Sequence, residues 1–193
     1  MLKIAHRIND PARLAAVPRE CGIEIDLHGY RDRVVVHHDP FVDAVDLETW
    51  LDAYNHACVI LNVKEEGIEA RVRDIVLRRG IVDFFFLDLS FPAMMKMIAS
   101  GERRVALRVS EYESPAGYLA LRGRADWLWI DTFHGLPDLR AQHDALRDAG
   151  FRLCLVSPEL HGRGIGEIAG MKSSLRQQGI VMDAVCTKHP ELW

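Results

Sequence analysis

Apolar residues in this chain gather in short runs, several of them rich in β-branched or aromatic side chains. The stretches between runs repeat their hydrophobic positions at helical spacing instead. The runs fall at 2–8, 22–28, 58–64, 83–90, 104–110, 126–133, 151–157 and 183–189, eight in all. Between them the pattern predicts helices over 46–55, 67–80, 91–101, 114–124, 137–150 and 162–179, several closing on glycine. Regular alternation of strand and helix is the mark of a parallel sheet with crossover helices. Eight repeats of similar length fit an α/β fold of the (β/α)8 TIM-barrel type better than an open doubly wound sheet. The open sheet ranks second, because Ala5 to Asp10, after the first strand, holds no glycine for a dinucleotide-binding turn.

The barrel predicted is a short one: a single domain over 1–193, with no closing helix after the last strand. Cover beside the first strand is then thin unless a second copy supplies it, a weak argument for a homo-oligomer.

In such barrels the chemistry gathers where the strands end, and the polar residues of these runs stand at those ends. They are His6 and Arg7; Glu24, Asp26 and His28; Asn62 and Lys64; Asp88 and Ser90; Arg108 and Ser110; Asp131; Ser157; and Thr187, Lys188 and His189. Glu24 and Asp26 are two apart on a strand and share a face. Like charges that close need compensation, from a hard divalent cation with oxygen ligands or from an ion pair with Arg7, Arg108 or Lys64. His6 and a second histidine, His37 or His38, suit a general acid and a general base. Arg7 and Lys64 add the positive charge that a phosphodiester's oxygens need as charge develops. Asp88, Arg108 and Asp131 end successive strands and suit either a structural ion-pair network or substrate contacts.

In this order, His6-Arg7, then Glu24-x-Asp26, then an apolar run into His38-Asp39-Pro40, then a strand ending on Lys64, resembles the glycerophosphodiester phosphodiesterase family. Ser90-Phe91, the stretch from Ala149 to Ser157, and Ala184 to Leu192 follow the family's pattern more loosely. The resemblance implies a barrel that hydrolyses a glycerol-type phosphodiester to an alcohol and a phosphomonoester with one divalent cation, Mg2+ or Ca2+. It assigns His6 and His38 as the catalytic pair and Arg7 and Lys64 as phosphate contacts. It makes Glu24 and Asp26 metal ligands, with Asn62 where the family has a third carboxylate, so the cation site is expected to be weaker. The chain departs from the pattern at three further places. Ile8 stands for a glycine, Lys188 stands for an aspartate, and the loop after Asp39 is too short to hold the insertion that helps form the family's pocket. The substrate expected is a small-molecule or polymeric phosphodiester, and the short loop suits a more open pocket, compatible with a bulky or polymeric substrate or with a partner that completes the site.

Charge and composition add exclusions. The 24 basic and 28 acidic residues are interspersed, with a net charge of -4, which argues against nucleic acid as a partner. No run is long enough for a membrane span, and the start has no signal-peptide core, so a cytoplasmic protein is expected. Cys21, Cys58, Cys154 and Cys186 match no metal or redox spacing and read as buried thiols. Two other functions fit the same residues: a regulatory barrel that binds a phosphate ligand without turnover, and a sugar-phosphate lyase or isomerase using Lys64.

Overall fold

The computed structural model describes Met1–Trp193. The chain forms two compact units, one of Met1–Ile4 with Arg103–Trp193 and one of Ala5–Glu102. Strand β1 (Leu2–Ala5) opens the chain.

In residues 5–102 the strands are β2 (Gly22–Tyr30), β3 (Arg33–Val36), β4 (Val59–Val63) and β5 (Phe84–Leu87). β2, β4 and β5 lie side by side and parallel, in the register that sets Asp26 opposite Asn62 and Asn62 opposite Leu87. β3 folds back antiparallel on β2, pairing Leu27 with Val36. Every residue of β4 and β5 is buried, as expected of strands covered on both faces. The helices are α1 (Leu47–Asp52), α2 (Glu69–Arg78) and α3 (Phe91–Ala99). Asp46 caps α1, Ser90 caps α3, and Val72, Ile75 and Val76 make the buried stripe of α2.

In the other unit, β6 (Ala106–Val109), β7 (Trp127–Ile130), β8 (Arg152–Val156) and β9 (Ala184–Thr187) pair in sequence, all parallel. The Leu2 N–H of β1 bonds the Asp183 carbonyl at 2.7 Å. The helices here are α4 (His143–Asp148) and α5 (Glu167–Gln178).

Each of the eight apolar runs holds a strand, while four predicted helices are clearly shorter than the pattern suggested, the first contracting from 46–55 to Leu47–Asp52. Residues 114–124 form only a 3-10 stretch at Pro115–Leu121, which buries little beyond Pro115 and Leu121. The 137–150 prediction contracts to His143–Asp148. In 162–179 the glycines at 162, 164 and 166 stay outside a helix that begins at Glu167, in keeping with the cost of glycine in a helix. The last turn, Pro190–Leu192, is also 3-10. No helix is long and apolar enough to cross a membrane, and all four cysteines are free and buried.

Candidate active site

The polar centre of residues 5–102 is built on β2. Alternation along the strand puts Glu24, Asp26 and His28 on one face, and all three are buried, Glu24 and Asp26 completely. The parallel register brings Asn62 beside them from β4, and its amide donates to Glu24 Oε1 at 2.8 Å. The segment leaving β1 folds over the same group. Arg7 donates its backbone N–H to Glu24 Oε2 at 2.7 Å, and Ile8 donates its N–H to the Glu24 carbonyl at 2.9 Å.

Arg7 holds that position at φ 53, a left-handed conformation that costs energy for a residue with a side chain. The left-handed residue is therefore Arg7, and Ile8 is a buried anchor whose carbonyl takes the Trp50 indole N–H at 3.0 Å. Asp88 at the end of β5 is left-handed as well, at φ 60. Backbone strain of this kind gathers at functional sites.

The side chains divide into acids and cations in contact. His6 Nε2 lies 3.8 Å from Glu24 Oε2. Arg7 Nε is 3.2 Å from Asp26 Oδ2, and Lys64 Nζ is 3.5 Å from Asp26 Oδ1 and 2.8 Å from Asp88 Oδ2. The ion-pair alternative for the Glu24–Asp26 pair is thus realised at Asp26. Burial, and after it the Asp26 carboxylate alongside, push Glu24 up from the ordinary carboxylate range to about 7; bonds from Asn62 and Arg7 offset part of this.

His38 is held at the edge of the group. Its Nδ1 meets Asp39 Oδ1 at 2.7 Å, and its carbonyl lies 2.9 Å from His28 Nε2. With Nδ1 donating to that carboxylate, Nε2 is the nitrogen left to exchange a proton. Asp39 is held below the usual carboxylate range, chiefly by the His38 bond, with Arg7 among the smaller causes. His37 instead accepts the Asp39 backbone N–H at 3.0 Å, so of the two histidines the turn is built on His37 and the carboxylate orients His38.

Two contributors were not legible as site residues. Asn9 donates to Asp26 Oδ2 at 2.9 Å and accepts the Asp26 N–H at 3.0 Å; in the sequence it marks only a turn before Pro11. Asp39 reads as part of a motif rather than as a partner of His38. Asp88, expected in a strand-end network with Arg108 and Asp131, pairs with Lys64 instead. Glu65 stays in the loop, where it accepts the Gly29 N–H at 2.9 Å.

The oxygens fit a hard divalent cation. Asp26 Oδ1 and Asn62 Oδ1 are buried without a hydrogen-bond partner, and buried oxygens of this kind are the exception in proteins. No cluster of three or more His, Cys, Asp or Glu side chains is arranged to hold a metal ion. The third donor beside Glu24 and Asp26 would therefore be the Asn62 amide oxygen, in an all-oxygen set suited to Mg2+ or Ca2+.

In residues 103–193 with 1–4, Asp131 ends β7 and takes two bonds from Arg108, Nη2 at 2.7 Å and Nε at 3.1 Å. The Trp129 indole N–H reaches its other oxygen at 3.2 Å, and His161 Nε2 lies 3.1 Å from the same atom. The Arg108–Asp131 part of the expected network is present, and Asp88 pairs with Lys64.

No family model and no curated protein match the sequence. Solved structures do. A glycerophosphodiester phosphodiesterase from Agrobacterium tumefaciens str. C58 aligns over 100% of this chain and 99% of its own, with TM-score 0.66 and 17% identity. A glycerophosphoryl diester phosphodiesterase from Parabacteroides distasonis ATCC 8503 aligns over 99% and 84%, with TM-score 0.71 and 14% identity. A mutant tryptophan synthase alpha-subunit from Pyrococcus furiosus aligns over 98% and 88%, with TM-score 0.58 and 12% identity. These likenesses establish the fold, the TIM-type (β/α)8 barrel that the alternating pattern predicted.

Proposed function

We propose that the cluster on β2 is the centre of a phosphodiester hydrolase acting on a glycerol-type diester and releasing an alcohol and a phosphomonoester. The observation that carries this reading is a buried pair of carboxylates with unpartnered oxygen beside it, ringed by His6, Arg7 and Lys64. Two structural neighbours are named as phosphodiesterases of the glycerol-phosphate type, which supports phosphodiester hydrolysis as the general chemistry. Another neighbour is a tryptophan synthase subunit, so the fold alone does not choose, and the residues must.

Glu24, Asp26 and Asn62 would hold one divalent cation, which when bound supplies positive charge to polarise the phosphoryl oxygens. Arg7 and Lys64, on either side of Asp26, turn to those oxygens as charge builds on them. One of His6 and His38 takes the proton of the attacking oxygen, a water or a hydroxyl of the substrate, and the other protonates the leaving alkoxide; where the substrate hydroxyl attacks, water then opens the cyclic diester to the phosphomonoester. Asp39 keeps the His38 ring turned so that Nε2 faces away from it.

Both site cations are already paired with carboxylates, and this favours one second reading: a barrel that binds a phosphate ligand without turnover. The lyase or isomerase reading loses ground, because Lys64 lies in an ion pair and not in the apolar pocket that activates a nucleophilic amine.

One assay separates these. The purified protein is given bis(p-nitrophenyl) phosphate with Mg2+, Ca2+ or chelator, beside His6→Ala and Glu24→Ala. Metal-dependent turnover that either substitution lowers by about 100-fold or more supports the hydrolase. Turnover that survives chelator or Glu24→Ala sinks it. Metal-linked binding of glycerol phosphate with no turnover would favour the binding barrel.

A further inference from the structure

On the face of β2 that carries Glu24 and Asp26, His28 is the buried polar residue that the proposed chemistry does not use. It follows the two acids at the same two-residue spacing and is 5% exposed. Its Nε2 lies 2.9 Å from the His38 carbonyl oxygen. A carbonyl can only accept, so Nε2 carries the proton and donates it there. On the other side of the ring, Glu65 Oε2 stands 3.7 Å from Nδ1, and the Gly29 N–H already occupies that oxygen at 2.9 Å. Nδ1 is buried without a hydrogen bond, so the polar contact that fixes the ring is the one to residue 38.

That bond falls where the chain has left the sheet. β3 pairs with β2 only as far as Val36, opposite Leu27, and Val36 turns its N–H to the Val45 carbonyl. His38 is two residues beyond, and the side-chain pair that it makes with Asp39 is exposed. An exposed pair on a turn holds its own place weakly, because water competes for the bond and both side chains lose rotamer freedom in making it. The buried donor on β2 supplies what the turn lacks. It ties the backbone of residue 38 to the strand that carries the two carboxylates.

We propose that His28 is a positioning residue: its Nε2–H holds the backbone of His38, and thereby the His38 imidazole, in place at the edge of the Glu24–Asp26 group. It acts through His38 and moves no proton of the reaction itself. The assignment rests on the phosphodiesterase reading for the step that His38 serves, and on the hydrogen bond alone for the tether.

The test is a double-mutant cycle on the ethyl diester of glycerol phosphate at saturating Mg2+. Its alkoxide is a poor leaving group, so both proton transfers matter to the rate and His38 counts as either acid or base. His28→Leu should lower kcat by about 30-fold. KM and the Mg2+ concentration for half-maximal rate should change by less than about 3-fold, whereas a general collapse of the cluster would move all three. His38→Ala should lower kcat by about 100-fold or more. Adding His28→Leu to it should cost less than about 3-fold further, because the group being positioned is gone. His28→Gln, whose amide N–H reaches the place of Nε2, should keep kcat within about 5-fold of wild type. His28→Asn is polar but too short; it should behave as His28→Leu, and it takes that place in the cycle if the leucine variant does not fold. The full loss repeated in the His38→Ala background, a kcat unmoved by His28→Leu, or no recovery with glutamine overturns the assignment. If wild type leaves this diester intact, the bis(p-nitrophenyl) phosphate assay decides the hydrolase reading, and the tether is read from the NMR resonances of the His38 ring. His28→Leu should then shift and broaden those signals, while His28→Gln leaves them near their wild-type positions. Signals unmoved by His28→Leu overturn the tether.

Discussion

Glu24 and Glu159 are both buried glutamates, one the third residue of β2 in residues 5–102 and one in the 3-10 turn after β8 in the other unit, and their surroundings differ in kind. Glu159 is saturated. Oε1 takes the Thr187 hydroxyl at 2.6 Å and the Lys188 N–H at 3.0 Å, while Oε2 takes the Ser157 hydroxyl, which in turn accepts the Trp193 indole N–H at 2.9 Å. Burial would raise its pKa, but these donors outweigh it and hold Glu159 below the ordinary range. Around Glu24 the donors do not outweigh burial and the Asp26 charge, and Asp26 Oδ1 and Asn62 Oδ1 are buried without a hydrogen bond, Lys64 standing 3.5 Å from the former. A buried acid whose donors are complete holds a fold together. One whose surroundings leave buried oxygens without a hydrogen bond is suited to receive a ligand there.

The sharpest way to break this comparison is a crossed pair of substitutions. Asp26→Asn should cost about 1,000-fold in kcat/KM on a diester while changing unfolding free energy by no more than about 1 kcal/mol, since the amide still accepts from Asn9 or Arg7. Glu159→Ala should do the reverse. It strands two hydroxyls and a backbone N–H, costing about 3 kcal/mol, a fall of roughly 6 to 12 °C in Tm. Steady-state kinetics and thermal unfolding on the same preparations check both. Equal destabilisation by the two substitutions would mean that the Asp26 cluster is structural too.

Much of this was legible beforehand, and particular residues show why. The runs that became β4, β5 and β7 are almost wholly apolar because strands covered on both faces must be, so their polar ends stood out. Glu24, Asp26 and Lys64 were therefore found, and the two-residue spacing gave the acids their common face. Asn9 and Asp39 were not, because their roles depend on how a turn folds back, which has no period in sequence. The left-handed backbone fell on Arg7, where nothing in the local sequence asks for it. The hydrogen bond from its N–H to a glutamate seventeen residues away, at 2.7 Å, is a tertiary contact that holds it there.

The smallest effect expected is in the pH dependence of stability, and there the two glutamates should differ in sign. Glu24 titrates near 7 when folded, above the 4.5 of the free side chain, so between those values the folded chain binds the extra proton. Stability from this group is complete below about 4.5 and is lost as pH rises toward 7. Glu159 is lowered, so its contribution is present above the unfolded value and is lost as pH falls through the folded one. Denaturant unfolding of wild type, Glu24→Gln and Glu159→Gln across this range separates the two. Relative to wild type, Glu24→Gln should gain on the order of 2 kcal/mol on going from acid to neutral pH. Glu159→Gln should lose ground to wild type only below about 4.5, as pH rises through the folded value of Glu159 toward the unfolded one, and should run parallel to wild type above it. Saturating Mg2+ should flatten the wild-type decline if Glu24 is a ligand, because a cation there competes with the proton. A wild-type profile that is indifferent to Mg2+, with the Glu24→Gln difference intact, would leave Glu24 buried and proton-binding but outside any metal site.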